Sequence, residues 1–370
     1  LDNLYKAKKR LPNFSAIAGF DGFIDIITKP IASSDRNDIK EYFKNVPDFA
    51  SFISKRAGGS SSVELDEMER KLGGNAPIFA NALGTLGVET TCIGTLGYPK
   101  IENEFKKMSD NCYLVSVARP GICTALEFVD SKIMLAINGE LNCLDWAMVV
   151  ERVGLDILRN LFKKSNLIGL FNWSETPRAE DIWQGIIRDI VPYLEEDKHV
   201  IFDFSDCARR GTQEILNMLD IVREYARQLP TTLSMNENEC YAVLKALGIH
   251  NNPIEKSGEA LREELEVDNI VWHFRDDTWG FTRGGMYRFP IYKIEKPAIV
   301  TGAGDNFNAG LSLGLLAGFP MDEAIMTASL TASYYVAYGH SPSIDNLITF
   351  IQDQIIQNNF QFYKRKDDPI

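Results

Sequence analysis

The sequence predicts an α/β fold in which a mostly parallel sheet, covered by helices on both faces, carries a small β-sheet lid. Three observations lead there. Short apolar runs alternate with segments of helical period along most of the chain. Two stretches, 22–72 and 113–142, break that alternation. The length, 370 residues with 45% apolar side chains, suits one large α/β domain with an appendage, or two domains.

In chain order, FSAIAGF (14–20) reads as a short buried strand and TTCIGTLG (90–97) as another. Between them NAPIFANALGTLG (75–87) places apolar and small residues at helical spacing. Later strands are SNLIGLFNW (165–173), HVIFDFS (199–205), TTLSMN (231–236) and NIVWHF (269–274). Helical stretches separate them: LDILRNLFKK, AEDIWQGIIRDIVPYLEE, EILNMLDIVREYARQL and ENECYAVLKALG. In such a sheet the ligand lies beyond the carboxyl ends of the strands. Of the two interruptions, 22–72 reads as a polar, partly helical insertion. The other, 113–142, reads as short antiparallel strands with Pro-Gly and Asn-Gly turns. The expected division is a core of 1–21, 73–112 and 143–370 and a lid subdomain of 22–72 and 113–142. The tail YKRKDDPI is charged and expected to fray.

Lys plus Arg number 39 against 51 Asp plus Glu, a formal charge of −12, which argues against a nucleic-acid-binding surface because neutralising phosphates needs clustered cations. No run of about 18 apolar residues is present, so no membrane-spanning helix is expected. Cys92, Cys112, Cys123, Cys143, Cys207 and Cys240 form no C-x-x-C pair and read as reduced thiols of a cytoplasmic protein. His199, His250, His273 and His340 make no metal-ligand spacing. The chain opens LDNLYKAKKRLPNF, without a signal-peptide stretch and without an initiator Met, which leaves room for residues upstream.

The chemistry concentrates in IVTGAGDNFNAGLSLGLLAG (299–318). A β-branched run enters a Gly-Ala-Gly turn, an acid follows, and a small, apolar helix comes after. Unpaired N–H groups and the dipole at that helix start make an anion site, and glycines let the main chain approach a phosphate. Asp305 on the first turn can then serve as base for a hydroxyl, while the amides of Gly302, Ala303 and Gly304 receive charge on a transferred phosphoryl group. Read alone, Asp305 could equally cap a helix and the glycines turn the chain. Three further motifs accompany it. In SMNENEC, Asn236 and Glu239 lie three apart at a strand-to-helix junction, and a carboxylate there suits Mg²⁺ held through waters and phosphate oxygens. In GFDGFID, Asp21 stands at a strand end, placed to accept hydrogen bonds from a polyol. In KLGGNAP, Gly73 and Gly74 precede a helix that Asn75 could cap, or Asn75 could bind a hydroxyl.

In this order the four motifs resemble the ribokinase-like (PfkB) carbohydrate kinase family, over nearly the whole chain from Gly19 to about Ser343. GAGDNFNAG resembles its C-terminal signature, GGNAPIFANALGTLG the N-terminal one, and NENE its Asn-x-x-Glu motif. GICTALEFVDSKIMLAING resembles the lid hairpin, and YGHSPS the end of the nucleotide pocket. The resemblance implies a Rossmann-like sheet with a β lid, ATP as donor and Mg²⁺. Carried over, Asp305 is the base, and the Gly302–Gly304 amides form the anion hole. Asn236 and Glu239 orient Mg²⁺ and triphosphate, with Glu239 as metal carboxylate. Asp21, Gly73, Gly74 and Asn75 meet the sugar. Several positions depart from the pattern. Ile299 and Val300 replace the usual Asp-Thr, which speaks against K⁺ activation. Ile78 stands where many members have a sugar-binding Asn, and GTLGYPK has Tyr98 and Pro99 where an acid is usual. In IVWHFRDDTWGF the common Thr-x-Gly is missing, and Arg275 and Gly280 are the residues assigned to the nucleotide. The implied activity is an ATP-dependent kinase for a sugar or nucleoside hydroxyl, with a homodimer expected through open lid strands. Two other readings compete: a non-catalytic sugar- or nucleotide-binding regulator, and a nicotinamide-dependent oxidoreductase. IAGFDGFID lacks the G-x-G-x-x-G that the oxidoreductase would need.

Overall fold

The computed structural model describes residues 1–35, 39–195, 197–249 and 252–356, so the charged tail lies outside the described residues. Fourteen strands are described. They are β1 (Ser15–Gly19), β2 (Phe23–Ser34), β3 (Lys40–Tyr42), β4 (Leu65–Gly73), β5 (Glu89–Gly94), β6 (Cys112–Ser116) and β7 (Gly121–Glu127). The second half contains β8 (Lys132–Ile137), β9 (Leu167–Phe171), β10 (His199–Asp203), β11 (Thr231–Asn236), β12 (Asn269–His273), β13 (Asp277–Thr282) and β14 (Gly285–Pro290).

Nine of them form one sheet in the order β14-β13-β12-β11-β10-β9-β1-β5-β6. From β12 through β6 every neighbouring pair is parallel, and β13 and β14 add an antiparallel hairpin at one edge. Alternation along β1 explains why both faces are covered. Ile17 points into one hydrophobic core with Trp183, Phe202 and Leu233, while Ala16 and Ala18 point into another with Phe79, Phe307 and Leu311. The fold is therefore the α/β architecture that the alternation predicts, with a separate, smaller sheet.

That second sheet runs β3-β2-β7-β8, with β4 also paired to β2. Its β2–β7 pair is parallel and the rest are antiparallel. It differs from the sequence expectation in two places. The charged segment LDEMERKLG is strand β4, because its backbone pairs along β2 and its polar side chains are left largely exposed; within 22–72 the one α-helix described is Val46–Ser54. Residues 112–116, whose greater part was expected in the lid, pair with β5 as the edge of the large sheet.

The helix Ala303–Ala317 is buried along most of its length. A Cβ on its Gly310 would stand 2.8 Å from the Cα of Ala328, and one on Gly314 would stand 2.9 Å from the Cα of Ala324. Small residues thus let it pack backbone to backbone against the helix Met321–Tyr338. This contact offsets the weak intrinsic helix propensity of its glycines.

Candidate active site

Four adjacent strands of the large sheet deliver side chains to one end. Asp21 follows β1, Asn172 follows β9, Asp203 closes β10, and Asn236 closes β11. This is the carboxyl end, where open parallel sheets bind ligands. Two non-glycine residues there hold left-handed backbone conformations, Asn172 at φ 56° and Ser205 at φ 62°. Such geometry costs of order 1–3 kcal/mol per residue and gathers at functional sites.

Two helix starts face these strand ends. The helix Asn75–Thr85 begins after Gly74, whose φ of 90° and lack of a Cβ let it pass beside Asp21. Gly73 abuts the Asp25 carboxylate in the same way; a Cβ on it would stand 2.5 Å from an Asp25 oxygen. The helix Ala303–Ala317 begins after Gly302, which is left-handed at φ 92°. Its start is braced on three sides. Tyr335 Oη donates to the Thr301 carbonyl at 3.0 Å, Asn306 Nδ2 donates to the Gly302 carbonyl at 2.9 Å, and Ser341 Oγ donates to Asn306 Oδ1 at 2.7 Å.

Asp305 is buried, and Asn75 Nδ2 donates to its Oδ1 at 2.9 Å. Burial, then the nearby Asp203 charge, pushes its carboxyl well above the usual carboxylate range, and the Asn75 hydrogen bond offsets part of that. A raised pKa makes the carboxylate a better proton acceptor. Asp203 is buried as well, held by the Ser205 N–H at 2.8 Å and Asn308 Nδ2 at 2.7 Å. Asp21 is fully buried and accepts from the N–H groups of Asn75 and Ala76, both at 2.8 Å, and from Asn172 Nδ2 at 2.7 Å.

Cavities lie on both sides of the Gly302–Asp305 turn. One, of about 280 Å³, is lined by Asp25, Asn75, Asn172, Glu175, Gly302 and Asp305 together with Phe23, Cys123, Met134 and Ala136 of the small sheet. The other, of about 380 Å³, is lined by Ala303 and Gly304 with His273, Arg275, Tyr292 and Lys293 among others. Burial holds His273 neutral by pushing its pKa down to about 4.

The structure thus brings Asp305, Gly302, Ala303, Gly304, Gly74, Asn75 and Arg275 to these two cavities. Asp21 stands behind the wall, with its oxygens occupied by protein donors. Gly73 packs on Asp25. Gly280 lies within β13, where alternation turns it toward Met321 and Ile325 of a neighbouring helix, and it lines neither cavity. Asn236 and Glu239 form a reciprocal cap: the Glu239 N–H donates to Asn236 Oδ1 at 3.0 Å, and the Asn236 N–H and Nδ2 donate to the two Glu239 oxygens. Glu239 is buried, and burial followed by the Asp203 charge pushes its carboxyl well above its usual range. The Ala303 N–H, one of three expected anion-hole donors, donates to the Val300 carbonyl at 3.1 Å. Sequence reasoning missed Asp25, Asn172, Glu175 and Asp203. For Asn172 and Asp203 the available signal was positional, a polar residue at or just past the end of a buried strand, as in GLFN and VIFD.

An α/β sheet with a curled second sheet, an acid at a glycine-flanked helix start and two cavities meeting there define a carbohydrate kinase of the ribokinase-like class. The chain belongs to the prokaryotic ketohexokinase family, whose model matches residues 4–354. It is 26% identical over 345 residues to a ketohexokinase of Haloferax volcanii, covering 92% of each chain. Among solved structures it resembles an adenosine kinase from Sinorhizobium meliloti, with TM-score 0.64, 17% identity, and 92% of this chain and 98% of that one covered. It also resembles an Arabidopsis thaliana ribokinase complexed with ribose and ATP, with TM-score 0.62, 15% identity and the same coverage. Among the described residues, no helix is long and apolar enough to cross a membrane.

Proposed function

We propose that this chain transfers the γ-phosphoryl group of ATP to a hydroxyl of a ketohexose. The observation that carries the reading is the position of Asp305. Its residue lines the 280 Å³ cavity, while Ala303 and Gly304 on the same turn line the 380 Å³ one. An acceptor in the first and a triphosphate in the second would meet across one helix start. Family membership and the Haloferax volcanii relative support a ketohexose over other acceptors.

ATP supplies the electrophilic phosphorus and its leaving group. Asp305 takes the acceptor hydroxyl proton as that oxygen attacks. The helix start, with the Gly302 and Gly304 amides, meets the charge on the phosphoryl oxygens. Arg275 sets positive charge at the nucleotide cavity, and Lys293, also on its lining, is paired with Asp276 at 2.6 Å. Asn75, Asn172, Asp25 and Glu175 offer hydrogen-bond partners to the sugar hydroxyls. The small sheet would act as a lid, since Cys123, Met134 and Ala136 wall one side of the acceptor cavity, where closure over a bound sugar would exclude water.

Magnesium fits this site as the companion of the nucleotide. No group of three or more His, Cys, Asp or Glu side chains suited to a metal occurs among the described residues, and both oxygens of Glu239 accept from Asn236. The ion would therefore ride on phosphate oxygens and water. The six free cysteines, with Cys92, Cys123, Cys207 and Cys240 buried, support a cytoplasmic setting. Leu135 and Ile137, exposed on edge strand β8, support a homodimer through the outer face of the small sheet.

A coupled assay for ADP release, run over ketohexoses, aldohexoses, pentoses and nucleosides, tests the reading. Turnover with a ketohexose, and a loss of about 10²- to 10⁴-fold in kcat for Asp305→Asn, is the expected result. Near-wild-type kcat in that variant would remove Asp305 as base. Turnover of a nucleoside alone would move the acceptor class, and sugar binding without turnover would favour a regulator.

A further inference from the structure

The helix Asn75–Thr85 starts with a difficulty. Its N-cap is Gly74, which has no side chain to satisfy the first-turn N–H groups. Asp21, 54 residues away in sequence from Asn75, supplies what the cap lacks. Oδ2 takes the Asn75 N–H and Oδ1 the Ala76 N–H, each at 2.8 Å. The approach is close enough that a Cβ on residue 74 would stand 2.9 Å from Asp21 Oδ2. A third donor, Asn172 Nδ2, reaches the same Oδ2 at 2.7 Å. Asp21 is thus fully buried, held by three protein donors and directed at residues on the wall of the acceptor cavity.

One of those residues continues the chain. Asn75 is held at its backbone by Asp21, and its side-chain Nδ2 donates to Asp305 Oδ1 at 2.9 Å. We propose that Asp21 is a positioning residue for phosphoryl transfer: it fixes the Asn75 backbone so that the Asn75 amide holds the Asp305 carboxylate in its reactive orientation. Asp21 makes no contact with the acceptor. This inference rests on Asp305 being the base.

An asparagine at position 21 keeps the size but puts an NH₂ group where an oxygen now accepts a donor, so at least one of the three bonds is lost. A displacement of about 1 Å at a reacting group costs on the order of 10²-fold in rate. Asp21→Asn is therefore expected to lower kcat roughly 10- to 100-fold with KM for the sugar kept within about threefold. Asn75→Ala should lower kcat comparably. The double variant should fall little below the worse single one, because both act on one connection. A raised KM with unchanged kcat in Asp21→Asn would make it an acceptor ligand and overturn the proposal. A lowered melting temperature with kcat and KM intact would make it a helix cap alone, and would also overturn it. Should Asp21→Asn fail to fold, Asn75→Ala still decides, since unchanged kcat there breaks the second link. A crystal structure of Asp21→Asn gives a readout independent of turnover: the Asn75–Asp305 contact should open, and its retention would refute the relay. Asp305→Asn separates the two levels. If it is inactive while Asp21→Asn is fully active, the relay alone falls; if it stays active, the base reading falls.

Discussion

Asp25 offers a test in which stability and pH are tied to one side chain. Its carboxylate is buried beside the 280 Å³ cavity, with Lys71 and Lys132 favouring the charge and Asp21 and Glu175 opposing it. Burial outweighs the lysines and pushes the pKa from 3.8 to about 6. Because the folded value lies above the unfolded one, this group's contribution is fully favourable below about pH 3.8 and is lost as pH rises through about 6. At about 1.36 kcal/mol per unit, ionising Asp25 costs the fold about 3 kcal/mol at pH 8 and roughly half of that at pH 5. Asp25→Asn removes the ionisable group, so its advantage over wild type should grow by about 1.5 kcal/mol between those pH values. Urea unfolding at pH 5 and pH 8, at constant ionic strength and without acceptor, reads this as a difference of differences. A stability gap that stays constant, or shrinks toward pH 8, would refute the assignment of burial as the dominant effect. The same variant should lose turnover if the 280 Å³ cavity, which Asp25 lines, takes the acceptor as proposed, giving the usual opposition between a stable fold and a working site.

Two further outcomes are expected. Gly302→Ala must hold an L-residue at φ 92° with its Cβ 2.9 Å from Tyr335 Oη. Its cost should be about 1–2 kcal/mol of stability, read from urea midpoints, together with a drop in kcat; full activity would show that the turn tolerates a side chain. For the proposed dimer, sedimentation of wild type should give twice the monomer mass, and Leu135→Asp with Ile137→Asp should give monomers; a wild-type monomer at assay concentration would dismiss that interface.

Much of this organisation was legible because it is local. Gly302, Ala303, Gly304 and Asp305 are consecutive, and a helix start fixes their geometry however the rest folds. The large sheet was legible because both its faces are buried and its strands read as apolar runs. Asp203 and Asn172 were not, because their meaning comes from strand order: β9 and β10 lie side by side and deliver them to one edge. Strand β4 was hidden by its composition, since exposed charges on a strand look like an exposed helix or loop until its pairing with β2 is known. Gly280 failed for the converse reason. It lies near the right residues in sequence, but alternation along β13 turns it toward a helix.

The walls of the 280 Å³ cavity come from two separate sheets: Asn172 and Glu175 from beyond β9, Asp25 from β2, and Cys123, Met134 and Ala136 from β7 and β8. Its width is consequently a property of how the sheets are set against each other, as well as of the side chains that face it. Replacements at the joins between them that leave Asp21 in place, such as at Phe20 in the short link between Gly19 and Phe23, are expected to alter that width while every wall residue stays the same.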